Sequence, residues 1–203
     1  QRLGVDHVDL LYIHVDDRDT PLEDSLEALD RVVKQGKVRY IGISNVTAWR
    51  FAEAKTISRL KGLTSFTAVQ NFYTYLRERS DQVGTWIGPE FTDMAKTYNN
   101  FNLLAYSPLL KGAYVRGEFQ PWDNQVERFD TVDNRARLEC LNRLAKELGV
   151  SANQLVLAYV MHTEPGVIPI FGASTLEQFD DSMGALNVPW TEEVASTLKN
   201  AGA

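Results

Sequence analysis

His14, Ser44–Asn45, Gln70–Asn71, Tyr106–Ser107 and Gly172–Ser174 each follow a short apolar run, and their side chains are the ones in this sequence best suited to chemistry. A neutral imidazole at His14 could donate an N–H to a carbonyl oxygen and stabilise the charge that develops there. A lone histidine is more often structural, and neither His7 nor His162 has a comparable setting. If the run before it continued as a strand, His14 and Asp16 would share a face and could begin a metal site. No second His or Cys ligand accompanies them, so the reading is no metal, with Asp16 and Asp17 as solvated loop residues. Ser44, Asn45 and Gln70 offer matched donors and acceptors for a planar polar group, or they cap strand ends and form turns, as suits Asn45. Arg77, Arg116 and Arg128 could each clamp an anion, but read more simply as solvated charges.

The elements that must position these residues are legible from periodicity. Val8 to Ile13 reads as a buried strand. A helix follows, with Thr20 as N-cap, Pro21 first, Glu23 closing a capping box, and Leu22, Leu26, Leu29 and Val33 on one face until Gly36. Val38 to Ile43 is the second strand, Trp49 to Leu60 a helix and Phe66 to Gln70 the third strand. Phe91 to Tyr98 is helical, Leu103 to Tyr106 is the fourth strand, and residues from Ser107 to about Asp133 read as a long loop. Arg135 to Leu148 and a segment opened by a Ser151–Gln154 capping box are helices, and Gly166 to Ile170 is the fifth strand. Helices over 175–186 and 191–200 complete the chain, with Thr175 and Gln178 spaced as a capping box.

Alternating strands and helices imply a parallel sheet with right-handed crossovers, either doubly wound or a (β/α)8 barrel. Neither G-x-G-x-x-G nor G-x-x-x-x-G-K-[ST] occurs, which favours the barrel. A whole barrel needs eight strands and about 250 residues, so the expected fold class is α/β, an incomplete (β/α)8 TIM barrel with strands 4 to 8 and their helices. In the barrel the listed polar residues gather at one mouth, where active sites lie.

Bulk properties narrow the function. With a net charge of −6 over 203 residues, the chain lacks the clustered basic surface of a nucleic-acid binder. No apolar run approaches the ~18 residues of a membrane span, and Gln1, Arg2, Leu3 and Gly4 do not open a signal peptide, so neither membrane insertion nor secretion is expected. The single cysteine, Cys140, rules out an intramolecular disulfide and fits a reducing, cytoplasmic setting. The sequon Asn45-Val46-Thr47 reads as accidental.

Five ordered motifs resemble the aldo-keto reductase family: Leu10-Leu11-Tyr12-Ile13-His14, the segment from Gln35 to Asn45, Val69-Gln70-Asn71, Ala105-Tyr106-Ser107-Pro108-Leu109, and Gly172-Ala173-Ser174. The resemblance covers residues 1–203 as the C-terminal portion of a single barrel domain and aligns residue 1 with the helix before the family's fourth strand. It implies NADP(H)-dependent reduction of aldehydes or ketones to alcohols, with NAD(H) as the alternative cofactor and a small carbonyl compound as partner. His14 matches the histidine that orients the carbonyl. The family's Tyr, Lys and Asp would lie upstream, so this chain alone is expected to turn over little and to fold poorly. Ser44, Asn45 and Gln70 match residues that hold the nicotinamide carboxamide, and Tyr106 the ring on which nicotinamide stacks. Ser107, Leu109 and Leu110 match the stretch beside the pyrophosphate, where Lys111 could add a charge. Gly172, Ser174, Gln178 and Asp181 match the segment around the adenosine 2′-phosphate and adenine, at a helix N-terminus that favours an anion. Departures from the family pattern, Val15-Asp16 after the histidine, Phe171 before Gly172 and Ser182 after Asp181, leave substrate and cofactor preference open. A cofactor-sensing or interaction subunit, similar to the cytoplasmic beta subunits of potassium channels, is the alternative the same fold allows. The physiological substrate and oligomeric state are not legible.

Overall fold

The structure, a computed structural model, describes residues 3–79, 85–116 and 126–202. Five strands alternate with helices: β1 (Val8–Ile13), α1 (Leu22–Lys34), β2 (Val38–Ser44), α2 (Ala48–Lys61), β3 (Ala68–Phe72), α3 (Pro89–Tyr98) and β4 (Asn102–Tyr106). A 3-10 turn at Leu110–Gly112 leads into α4 (Ala113–Arg116), followed by α5 (Val126–Phe129), α6 (Val132–Leu148), α7 (Ala152–Met161), β5 (Val167–Ile170), α8 (Leu176–Met183), a 3-10 turn at Gly184–Asn187 and α9 (Glu192–Asn200). Within the first unit the strand order is β1-β2-β3, the sequential order that repeated crossovers of one hand produce.

The chain divides into two compact units. Among the described residues, the first holds 3–72 and 85–104 and the second 73–79 and 105–202. In the first unit β1 pairs in parallel with β2, Val8 opposite Val38 and Ile13 opposite Ile43, and β2 with β3, Ser44 opposite Gln70. This register sets the polar ends of β1, β2 and β3 side by side. Ile41, Ile43 and Val69 are buried together with Leu26 of α1 and an aromatic group in which the Phe51 ring lies 4.7 Å from that of Phe101 and 6.1 Å from that of Phe91. Burying such side chains contributes about 1.5–3 kcal/mol apiece before entropy is charged against it.

The second unit is built round α6 and α7. Leu141, Leu155, Val156 and Val160 are buried with Leu198 of α9, and Phe129 and Tyr114 close the core. The Ser151–Gln154 capping box forms in full: Ser151 Oγ accepts from Gln154 N at 3.1 Å, and Gln154 Oε1 accepts from Ser151 N at 3.1 Å. Gly149 ends α6 in the left-handed region, a conformation that costs a residue with a Cβ. Arg137 of α6 is almost wholly buried, with no carboxylate partner among the described residues. Its guanidinium donates to the Tyr75 carbonyl at 2.8 Å and the Ala201 carbonyl at 3.0 Å, and lies 4.1 Å from the Tyr75 ring centroid.

Four expectations need correction. Thr20 does not cap α1: Pro21 is the N-cap with no side-chain bond, and the Thr20 hydroxyl donates to Asp17 Oδ2 at 2.6 Å instead. The stretch expected as loop from Ser107 to Asp133 contains the 3-10 turn, α4 and α5, and α6 begins at Val132 because Thr131 accepts from Asn134 N. The helix expected over 175–186 is α8 followed by a separate 3-10 turn. Strand β3 starts and ends two residues late, so Gln70 and Asn71 lie inside it. The Phe72 carbonyl accepts from Ile87 N and the Phe72 amide donates to the Thr85 carbonyl, which prolongs pairing past Asn71.

Asp30 of α1 is a buried carboxylate with a full set of donors. Its Oδ1 accepts from Thr64 N and Thr64 Oγ1, both at 2.9 Å, and its Oδ2 meets Lys34 Nζ at 2.6 Å. The Lys34 contact above all, with the Thr64 bonds, lowers its pKa to about 2. A carboxyl whose folded pKa lies below its unfolded value stabilises the fold above the unfolded value and loses that contribution as pH falls through the folded one. Thermal melts of the wild type should therefore fall more steeply between pH 4 and pH 2 than those of Asp30→Asn, which cannot titrate there. Equal slopes would refute the assignment.

Candidate functional site

In the first unit the ends of three strands are tied together by side chains. Ser44, the last residue of β2 and buried, donates its hydroxyl to the Gln70 carbonyl at 2.6 Å. Asn45 turns the chain with φ 53°, a left-handed conformation that Asn tolerates better than most residues. Its amide N–H donates to the Gln70 carbonyl at 3.2 Å, and its Nδ2 to the His14 carbonyl at 2.9 Å and Ser44 Oγ at 3.1 Å. One side chain thus spans from β2 to the residue that follows β1. Such side chain to backbone bonds substitute for ladder bonds where strands end. The sequon asparagine is occupied structurally. Asn71, wholly buried, accepts from Val46 N at 3.2 Å and donates to the Val46 carbonyl at 2.8 Å, so it holds the following turn as a backbone partner would.

His14 itself is exposed just beyond β1, with its carbonyl fixed by Asn45 and its imidazole toward solvent. Asp16 is not the solvated residue expected from sequence. Its side chain is 5% exposed and ion-paired with Arg18 at 2.7 Å and Arg50 at 3.3 Å, which fixes the turn after His14 by charge pairing. Among the described residues no group of three or more His, Cys, Asp or Glu side chains is placed to hold a metal ion. Tyr12, which sequence reasoning passed over, is half-buried beside Gln70. Burial pushes its phenol up, and the Gln70 side chain opposes that shift. Its ring lies against Gly42, where an added Cβ would come 2.5 Å from Tyr12 Cε1. Only glycine at 42 leaves that ring its place.

In the second unit the residues after β4 make an unusual turn. Ser107 (φ 52°), Leu110 (φ 46°) and Lys111 (φ 51°) are all left-handed without being glycine, and Gly112 (φ 87°) follows. Clusters of backbone strain persist only where their surroundings fix them. Here the anchor is a buried hydroxyl chain. Thr74 Oγ1 donates to the Pro108 carbonyl at 2.6 Å and accepts from Tyr114 Oη at 2.6 Å, and Tyr114 Oη accepts from Leu76 N at 3.1 Å. Burial raises the Tyr114 pKa, which favours the protonated phenol that donates to Thr74.

That turn forms one wall of a 620 Å³ cavity. Leu109, Lys111, Gly112 and Arg116 line one side, and Ser174, Glu177, Gln178, Asp181 and Ser182 the other. Thr175 caps α8, accepting from Gln178 N at 3.2 Å, while Gln178 Oε1 accepts from Ser174 N at 2.8 Å and folds the turn back on the helix. Asp181 accepts from Ser151 Oγ at 3.1 Å, which fixes its carboxylate on the cavity floor. Asn153 also lines the cavity, and its side-chain oxygen is buried without a partner among the described residues. The cavity offers hydroxyl, amide and charged groups of both signs around a space of ligand size.

The structure thus brings together Ser44, Asn45 and Gln70 in one unit, and Leu109, Ser174, Gln178 and Asp181 in the other. Tyr106, at the end of β4, is half-buried, while Ser107 and Gly172 are exposed; none of the three lines this cavity. Leu110 is 1% exposed and belongs to the core, so only its backbone is available to a ligand. Sequence reasoning missed Glu177 and Asn153 and marks Ser182 only as a departure from the family pattern. Arg128, read as solvated, pairs with Glu78, and Arg77 donates to the Lys199 carbonyl at 3.3 Å.

The model of the aldo/keto reductase family matches residues 1–203. The chain is 28% identical over 213 residues to versiconal hemiacetal acetate reductase of Aspergillus parasiticus, covering 98% of this chain and 58% of that protein. It is 29% identical over 193 residues to a norsolorinic acid reductase of Emericella nidulans, covering 95% of this chain and 48% of that one. Among solved structures it resembles the thermostable aldo-keto reductase Tm1743, determined in complex with the inhibitor epalrestat, with TM-score 0.73 and 25% identity over 98% of this chain and 62% of that one. The chain spans about half the length of the curated relatives it matches.

Proposed function

Because the chain belongs to the aldo-keto reductase family, an oxidoreductase family, we propose that it is the cofactor-holding portion of an NADP(H)-dependent reductase of aldehydes or ketones, forming residues 1–203 of a single barrel domain. The observation that carries this reading is the 620 Å³ cavity. It draws Leu109 from one segment and Ser174, Gln178 and Asp181 from another some 65 residues later, four positions assigned to a single ligand by the family resemblance.

The residues present fit that ligand. In the second unit, Ser174 and the N-terminus of α8 would hold the adenosine 2′-phosphate, and Gln178 and Asp181 the adenine. Gly172 would lie beside the nucleotide in that segment, and the backbone of Ser107, Leu109 and Leu110 would face the pyrophosphate. Tyr106 would offer its ring face to the nicotinamide. In the first unit, Ser44, Asn45 and Gln70 would meet the carboxamide. When bound, the cofactor supplies or accepts a hydride.

The chain's own chemistry in this reading rests on His14. The carbonyl of His14 is fixed by Asn45 and the next turn by Asp16, so the imidazole is carried on a held backbone. Its N–H would donate to a substrate carbonyl oxygen and stabilise the negative charge that grows there, an effect worth about 2.7–4 kcal/mol where such a donor is removed from other enzymes. The proton donor of the family pattern has no assigned counterpart in this chain, so binding is the property to test first. A fluorescence titration of the chain with NADPH should saturate at one equivalent, with NADH weaker. Absence of saturable binding to either would overturn the proposal. A cytoplasmic site of action accompanies the reading; among the described residues no helix is long and apolar enough to cross a membrane.

A further inference from the structure

A cavity of 710 Å³ in the first unit has no part in the site above. It lies between α2 and α3, beside the residues that lead into β3. Thr67 on its wall precedes β3 and Asn100 precedes β4, so it opens at the N-terminal ends of the strands, away from the ends that carry Ser44 and Gln70.

Its chemistry is one-sided. Lys55 and Arg59 line it from α2, four residues apart and therefore on one helix face. No acidic residue lines it, and among the described residues neither cation has a carboxylate within ion-pair distance, although the chain carries a net charge of −6. Lys55 is held in place: Nζ donates to the Phe66 carbonyl at 3.2 Å and lies 5.6 Å from the ring centroids of both Phe51 and Phe101. Among the described residues no second hydrogen-bond acceptor meets this ammonium. Burial also lowers the pKa of this ammonium, the result of seating a cation where no anion compensates it. Opposite the cations, Leu63, Met94 and Tyr98 supply an apolar wall, with Tyr98 largely exposed as a surface a ring could stack on.

We propose that this cavity is a binding site for a small aromatic carboxylate, with the carboxylate on Lys55 and Arg59 and the ring against Met94 and Tyr98. The guanidinium fork of Arg59 suits a carboxylate, which it can meet with two parallel N–H bonds. The volume is that of a ligand site rather than a surface dimple. The assignment is independent of the dinucleotide reading.

The test is calorimetric titration of the whole chain with 2-naphthoate, beside its neutral counterpart 2-naphthamide. One saturable site is expected for the acid, with the amide at least tenfold weaker. Lys55→Met keeps the aliphatic stem over the two Phe rings and should weaken naphthoate at least tenfold; Arg59→Gln, at an exposed position, should do the same without touching the core. Lys55→Arg should retain most of the binding. Ser174→Glu, in the other cavity, should leave it unchanged. The proposal fails if naphthoate does not saturate, if the amide binds as well, if the α2 variants bind like the wild type, or if Ser174→Glu abolishes binding.

Discussion

Arg137→Met should lower the unfolding free energy by about 3 kcal/mol, the largest stability loss expected from any single substitution considered for this chain. Methionine fills most of the same volume but donates nothing. The Tyr75 and Ala201 carbonyls, bonded to the guanidinium at 2.8 and 3.0 Å, would both be left without that donor. Each stranded buried acceptor costs about 1–3 kcal/mol, and the face of the Tyr75 ring loses a cation 4.1 Å away. Urea denaturation of the two proteins, compared at equal m-value, reads the difference. A loss under 1 kcal/mol would mean that these groups are hydrated or rebonded in the variant, and that the buried arginine is not what binds Tyr75 and Ala201 to α6.

The second large effect concerns binding. Ser174→Glu should weaken NADPH about a hundredfold, with stability unchanged because position 174 is exposed and the Ser174 amide keeps its bond to Gln178. The new carboxylate would join Glu177 and Asp181 around one cavity and face the 2′-phosphate of the bound nucleotide, and a like charge set against that anion costs several kcal/mol, where 2.7 kcal/mol is a hundredfold. NADH, which lacks the 2′-phosphate, should lose less. An equal loss for both nucleotides would move the phosphate away from Ser174, and no loss for either would remove the cavity from the cofactor site.

Much of this was legible because apolar periodicity reports which faces are buried. Val8–Ile13 is a strand in both the sequence reading and the structure, and the Ser151–Gln154 box forms as its spacing requires. The failures have physical causes. Thr20 and Glu23 have capping-box spacing, but the Thr20 hydroxyl donates to Asp17 Oδ2 at 2.6 Å, a bond that ties Thr20 to the preceding turn, and Pro21 takes the N-cap position. The helices α4 and α5 are four residues each, barely one helical turn, so the pattern that would betray them never repeats. Asp16 looked solvated because its partner Arg50 is 34 residues away, and no local rule connects them. The site positions were recognisable only as a set of motifs. That Ser44 would bond the Gln70 carbonyl followed from a register, and that Asp181 would be held by Ser151 followed from helix packing; composition and spacing carry neither.

The turn after β4 carries a standing cost that the rest of the chain must offset. Ser107, Leu110 and Lys111 in left-handed backbone store on the order of 1 kcal/mol apiece that glycine would not. Glycine in all three places would relax that strain yet enlarge the unfolded ensemble and free the turn to wander. The sequence has settled between those two penalties, with Thr74 and Tyr114 holding the strained form in place. A gain in thermal tolerance at this turn would therefore come at the expense of its shape, and the cavity wall is the part of the protein where durability and ligand recognition pull in opposite directions.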